Sequence, residues 1–202
     1  MQADLFTRED RELQFVPRWC IVRTLRQQSV AEHSYYVALW ADRVARAVGI
    51  TDSETLYKLG RKALVHDLAT EIYSGDIPAT FKRQLTKDLG RDLHGLGNFN
   101  NNPVSEAEDI NVLSEHGVAI LKVADLIEAL VFLFEEQQLG NQALFNVVED
   151  IKGQLSIATR KLSQLFTDHE FGDVYDFISE LRSVHWESDT NNIFPNRGSQ
   201  QW

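Results

Sequence analysis

Residues 29–49 read SVAEHSYYVALWADRVARAVG, and this stretch decides the fold class. Ser29-Val30-Ala31-Glu32 has the capping-box pattern, in which the serine hydroxyl and the glutamate carboxylate each satisfy a backbone N–H left open at a helix start. Val37, Trp40/Ala41, Val44 and Val48 then recur at helical spacing. Gly49 supplies a stop, because glycine readily takes the left-handed conformation that ends a helix. One residue on this apolar stripe is out of character, His33.

The same period continues on the C-terminal side. Thr51-Asp52-Ser53-Glu54 starts a second helix, with Leu56, Leu59, Ala63 and His66/Asp67 about a turn apart and an end expected near Thr70. Gly75-Asp76-Ile77-Pro78 reads as a turn and then a new helix, with Pro78 near its first position and an end by Gly90. Residues 90–104, rich in Gly and Asn, read as a long loop. Ser105-Glu106-Ala107-Glu108 fits another capping box. A long helical run follows, carrying Leu113, Ile120, Val123/Ala124, Ile127, Leu130/Val131 and Phe134 and stopping at Leu139-Gly140-Asn141. Further helices are expected at about 142–166 and 170–186. No repeat and no convincing strand pair emerges. The expectation is an all-α chain, one domain over residues 1–186 with about six or seven helices, followed by a flexible tail at 187–202.

Composition narrows the function. At 202 residues and 43% hydrophobic content, the chain suits one globular domain with a sizeable core. The formal net charge of −10 disfavours a long nucleic-acid footprint but leaves room for a small phosphorylated ligand, held by a few basic side chains in one pocket. A single cysteine, Cys20, excludes a disulfide framework and a thiolate metal cluster. No segment has the roughly 20 apolar residues of a membrane span, and the charged start lacks a signal core, so a cytoplasmic location is expected.

Polar groups interrupt apolar faces at three places: His33, the pair His66-Asp67, and Asp125 inside Ile120-Leu121-Lys122-Val123-Ala124-Asp125-Leu126-Ile127. Taken singly, such a His is more commonly a hydrogen-bonded core residue, and such an Asp the partner of a nearby cation, Lys122 or Arg61 here. Together they point to a shared site, because a buried carboxylate is costly unless paired or bound to a cation. Two imidazoles and two carboxylates suit a first-row divalent ion, and four protein ligands leave open positions for water and a phosphate oxygen.

The order His…His-Asp…Asp resembles the HD-domain phosphohydrolase superfamily. More narrowly, the chain is similar to the bacterial 5′-deoxynucleotidase family (YfbR-like). The matching segments are Arg18-Trp19, Val30-Ala31-Glu32-His33-Ser34, His66-Asp67 with Glu71, Gly75-Asp76-Ile77-Pro78, and Ala124-Asp125. The resemblance implies one divalent metal (cobalt, manganese, magnesium or iron) on His33, His66, Asp67 and Asp125. It implies Glu71 as the acid that manages water and leaving group, and Asp76 as a carboxylate near sugar and water. Arg18 is the implied phosphate ligand and Trp19 the wall that disfavours a 2′-hydroxyl; Pro78 and Lys82 complete the substrate side. The chain departs from the family at His66-Asp67-Leu68-Ala69-Thr70-Glu71, one residue longer than the usual spacing from pair to acid. An added residue turns a regular helix by about 100°, so a bulge or early helix end must absorb it.

The resemblance implies hydrolysis at the 5′-phosphate of a 2′-deoxynucleotide. A deoxynucleoside monophosphatase is the first reading. A triphosphohydrolase releasing tripolyphosphate, as in related phage dATP-hydrolysing proteins, stands behind it, since Lys82, Arg83 and Lys87 exceed what one phosphate needs. A non-catalytic nucleotide sensor is a third reading. The family suggests a homodimer or higher homo-oligomer and a small deoxynucleotide substrate, while the net charge and the lack of an apolar span argue against a long nucleic acid or a membrane as partner.

Overall fold

The computed structural model describes residues 8–65, 71, 74–78, 81–82, 84, 87–88, 114–166, 174–176 and 178–179. Among them the chain is helical, with a 3-10 turn over Arg8–Phe15 that the sequence reading did not anticipate, and no strand. Helix α1 spans Val30–Ala47, α2 Ser53–Val65, α3 Glu115–Gln138 and α4 Phe145–Ser163. Residues 174–176 and 178–179 are also helical. Segment 187–202 and the Gly- and Asn-rich stretch of 90–104 lie outside the described residues.

Each described start has a local cause. The Ser29 hydroxyl accepts the Glu32 N–H at 3.1 Å, as the capping box requires. Gly49 follows α1 at φ 84°, a conformation costly for any residue with a Cβ. The long helix opens at Ser114, whose hydroxyl accepts the Gly117 N–H at 3.2 Å. The Ser105 box lies outside the described residues.

Asp52 caps α2 by accepting the Thr55 N–H at 2.8 Å, and hydrogen bonding from Thr55 holds its carboxyl below the usual value. A folded-state value below the unfolded one means the cap stabilises above the ordinary carboxylate range and is lost as pH falls through the depressed value. Asp52→Ala is therefore expected to lower Tm slightly at pH 7 but not at about pH 2. Asp52→Asn, which caps without titrating, should flatten this difference. Melting curves of the three proteins at both pH values check it.

The core is a stack with α3 at its centre. Helix α1 packs on both α2 and α3, and α4 covers α3 from the other side. Val37, Ala41, Val44, Ile120, Ile127 and Leu155 are among its buried members. The apolar run of α3 extends from Ile127 to Phe134. It is consumed within the chain: Ile127, Ala129, Leu130, Phe132, Leu133 and Phe134 are all buried. That run therefore gives no support for an oligomer. His116 ties α3 to the segment just after α4 through its Nε2 on the Leu165 carbonyl at 3.1 Å. His94, His169 and His185 lie outside the described residues.

Candidate active site

The site is built on a loop, residues 17–29, pinned at its neck and its tip. At the neck, an isolated antiparallel bridge joins Pro17 to Ser29. The Arg18 N–H bonds the Gln28 carbonyl at 2.8 Å, and the Val30 N–H bonds the Val16 carbonyl at 2.9 Å. At the tip, the buried Glu136 carboxylate on α3 accepts the backbone N–H groups of Leu25 (2.5 Å) and Arg26 (2.8 Å). Asn141 adds a side-chain bond to the Arg23 carbonyl at 2.8 Å. This loop presents Arg18, Trp19 and Gln28 to α1 and α3.

Trp19 sits at φ 65°, a left-handed conformation that costs a bulky residue about 1–3 kcal/mol and persists only where its surroundings over-determine it. Here they do. The Asp76 carboxylate accepts its N–H at 2.7 Å, and its indole Nε1 donates to Gln28 at 3.1 Å. The ring stacks on Phe132 with centroids 5.7 Å apart, and the Arg18 guanidinium lies 5.0 Å from the ring centroid.

His33, on α1, is 1% exposed. Its Nδ1 makes a short hydrogen bond with Glu128 Oε2 and lies beside Arg18 Nη1, which itself donates to Oε2 at 2.7 Å. Its Nε2 faces Asp125 Oδ1 at 3.4 Å. Asp125 also meets Lys122 Nζ at 2.7 Å and Arg18 Nη2 at 3.7 Å. Burial pushes the Asp125 carboxyl up, but Lys122, the hydrogen bond and charge of His33, and Arg18 outweigh it and hold the group well below the usual range. Glu128 follows the same logic. Burial raises it, while His33, Arg18 and the Gln28 amide at 2.6 Å bring it below its ordinary value.

The remaining candidates cluster nearby. Glu71 is buried, and Lys82 Nζ donates to its Oε1 at 2.6 Å. Gly75, at φ 73°, receives the turn that follows, its N–H bonding the Glu71 carbonyl at 2.9 Å. The Pro78 carbonyl accepts the N–H groups of Phe81 and Lys82, both at 2.9 Å, so Pro78 stands at the start of the next helical segment. His66 and Asp67 lie outside the described residues, as does Arg83.

The described half of the expected ligand set, His33 and Asp125, fits a metal. A His33 Nε2 lone pair facing a carboxylate oxygen needs positive charge between the two, either a proton or a metal ion. Adjacent ligands on an ion with bonds of about 2.1 Å stand roughly 3 Å apart, close to the 3.4 Å between these donors. Among the described residues no group of three ligating side chains is gathered, since the other two expected ligands fall outside them. Two buried acids of α3 escaped the sequence reading, Glu128 and Glu136. The signal that could have found them is the one that flagged Asp125, a carboxylate inside an apolar helix.

Residues 11–95 match the family model described as an HD domain. A dATP triphosphohydrolase of Salmonella phage PMBT28 is 37% identical over 129 residues, 60% of this chain and 62% of that protein. The chain thus matches less than two thirds of the phage enzyme's length. The 5′-deoxynucleotidase YfbR of Salmonella paratyphi B is 27% identical over 157 residues, 69% of this chain and 76% of that protein. Among solved structures, the cyanophage S-2L HD phosphohydrolase DatZ, bound to dA and one catalytic Zn2+ ion, is similar with a TM-score of 0.67 and 28% identity, over 89% of this chain and 98% of that one. The helical fold and these likenesses agree: residues 11–95 match an HD domain, and the chain is similar to HD-domain phosphohydrolases.

Proposed function

We propose that this chain is a divalent-metal-dependent phosphohydrolase of 2′-deoxynucleotides, and that its substrate is a deoxynucleoside triphosphate. Water would attack the α-phosphorus, the 5′-oxygen would leave with a proton, and the products would be a deoxynucleoside and tripolyphosphate. The observation that carries the reading is the cationic rim of the His33–Asp125 pair. Arg18 and Lys122 both lie within ion-pair reach of Asp125, and Lys82 stands on Glu71. With a metal ion on Asp125, Arg18 and Lys122 would be left to meet phosphate oxygens, which suits a polyphosphate chain. The sequence alone put the monophosphate first. The order reverses here because the similarity to a dATP triphosphohydrolase, at 37% identity, exceeds that to a 5′-deoxynucleotidase, at 27%.

When bound to His33, His66, Asp67 and Asp125, the metal supplies Lewis-acid polarisation of a phosphoryl oxygen and an activated water. The chain's own residues do the rest. Arg18 forks onto phosphate oxygens, as a planar guanidinium does better than an ammonium. Trp19 forms a flat wall beside the sugar, where a 2′-hydroxyl would find no hydrogen-bond partner. Asp76 acts on the same place by holding the Trp19 N–H. Glu71 is assigned the proton transfer at water and leaving oxygen, with Lys82 holding its carboxylate in place.

The test is product analysis. Metal-loaded protein is incubated separately with dATP and dAMP, and tripolyphosphate and orthophosphate are assayed. Tripolyphosphate from dATP is expected. Orthophosphate from dAMP alone would move the reading to a 5′-deoxynucleotidase, and release of neither would sink both.

A further inference from the structure

Glu128 stands outside the His…His-Asp…Asp pattern and yet lies at the centre of the polar network. It is 3% exposed, on the helix that carries Asp125. Its Oε1 takes the Gln28 amide at 2.6 Å, and its Oε2 takes both Arg18 Nη1 at 2.7 Å and His33 Nδ1. Burying a carboxylate is costly, and its neighbours here are a proposed metal ligand and a proposed phosphate ligand rather than a second ion pair of the core.

The donor inventory fixes the consequence. A guanidinium only donates, whereas an imidazole Nδ1 either donates or accepts. With Glu128 present, Arg18 and His33 both direct a proton at Oε2. Nδ1 then carries the hydrogen, and Nε2 is the nitrogen left facing Asp125, open to a proton or a metal ion. Without the carboxylate, Arg18 Nη1, already beside Nδ1, becomes its partner and forces Nδ1 to accept. The ring proton then moves to Nε2 and occupies the position a metal ion would use.

We propose that Glu128 is a positioning residue that fixes His33 with Nε2 turned to the metal and, through the same oxygen, holds Arg18 toward the substrate phosphate. The consequence for metal rests on the metal reading above, while the tautomer rests on the geometry alone.

Nitrogen-15 NMR of the His33 imidazole in metal-free protein, assigned by the signals lost in His33→Asn, reads the tautomer. Calorimetric titration with Zn2+ reads affinity. Wild type is expected to carry a hydrogen on Nδ1, with or without a second one on Nε2. Glu128→Met, of similar volume, and Glu128→Ala should both become Nε2–H and bind Zn2+ about 10- to 100-fold more weakly, the usual cost of removing such a partner. Glu128→Gln, whose amide oxygen still accepts from Nδ1, should restore most of the affinity, a rescue that a purely structural role would not predict. A folded Met or Ala variant that stays Nδ1–H, with Zn2+ affinity within about two-fold of wild type, overturns the proposal. So does a wild-type protein whose Nδ1 carries no hydrogen, whether or not the variants fold. Wild type that binds no Zn2+ strikes the metal reading instead, and the tautomer comparison still decides the role of Glu128.

Discussion

Asp125→Asn is expected to lower kcat/KM for dATP by about three orders of magnitude while leaving the fold in place. Asp125 is held well below the usual carboxylate range, so at neutral pH the substitution removes a full negative charge from the metal side of His33. A bound ion supplies several kcal/mol of transition-state stabilisation, and roughly 1.4 kcal/mol corresponds to each factor of ten. The fold has less to lose. Lys122, 54% exposed, returns to water when its partner goes, and such surface pairs are worth about 1 kcal/mol at most. Arg18 keeps Glu128 at 2.7 Å. Turnover of dATP, metal content by elemental analysis and Tm are the three readouts. Unchanged turnover in Asp125→Asn would remove that residue from the site. A nucleotide sensor predicts a different pattern, with no turnover in wild type and undiminished dATP affinity in the variant.

The parts of this chain legible in its sequence are those whose causes are local. Helix α1 follows from a cap at Ser29, a stripe at helical spacing and a glycine at 49, all within one segment. The start of α3 shows the limit of pattern matching. Ser105 has the fuller capping box, but the described helix is capped by Ser114, where the hydroxyl alone suffices without a glutamate three residues on. The loop over 17–29 was not legible, because what holds it is remote: Leu25 and Arg26 meet Glu136, more than a hundred residues away. Glu128 and Glu136 were legible in principle by the signal that marked Asp125. Helix α3 is covered by α1 on one side and α4 on the other, so its apolar positions run nearly all round and a carboxylate among them is an intrusion; what the sequence could not supply is their partners, Gln28 and the loop tip, which are remote. The sequence did locate His33 and Asp125 as intrusions into apolar stripes. It did not show that Arg18 reaches both His33 and Asp125, since that proximity depends on how the loop closes.

That closure gives the largest stability effect expected in the molecule. Glu136→Ala should destabilise the protein by about 3–5 kcal/mol, the range for breaking a buried charged group away from its partners. The Glu136 carboxylate is 0% exposed and accepts from the Leu25 N–H, the Arg26 N–H and the Asn141 side-chain amide, the last at 3.0 Å. Alanine leaves these donors without their acceptor. Each buried donor left unsatisfied costs about 1–3 kcal/mol, and hydration of a loop tip that swings outward limits the sum. Since domains are stable by only about 5–15 kcal/mol in all, a fall in Tm of roughly 10 °C follows for a chain of this size. Glu136→Gln retains one acceptor oxygen and should lose less than the alanine variant. The neck bonds of Arg18 and Val30 remain, so the loop stays attached at its base while its tip loosens. Below its melting temperature, Glu136→Ala should therefore raise KM for dATP more than it lowers kcat, because Arg18 and Trp19 ride on the loosened segment while His33 and Asp125 stay on rigid helices. Urea unfolding and steady-state kinetics test the two halves separately. Stability within about 1 kcal/mol of wild type would show that Glu136 does not tether the loop, and a loss confined to kcat would show that the tether serves the chemistry rather than substrate capture.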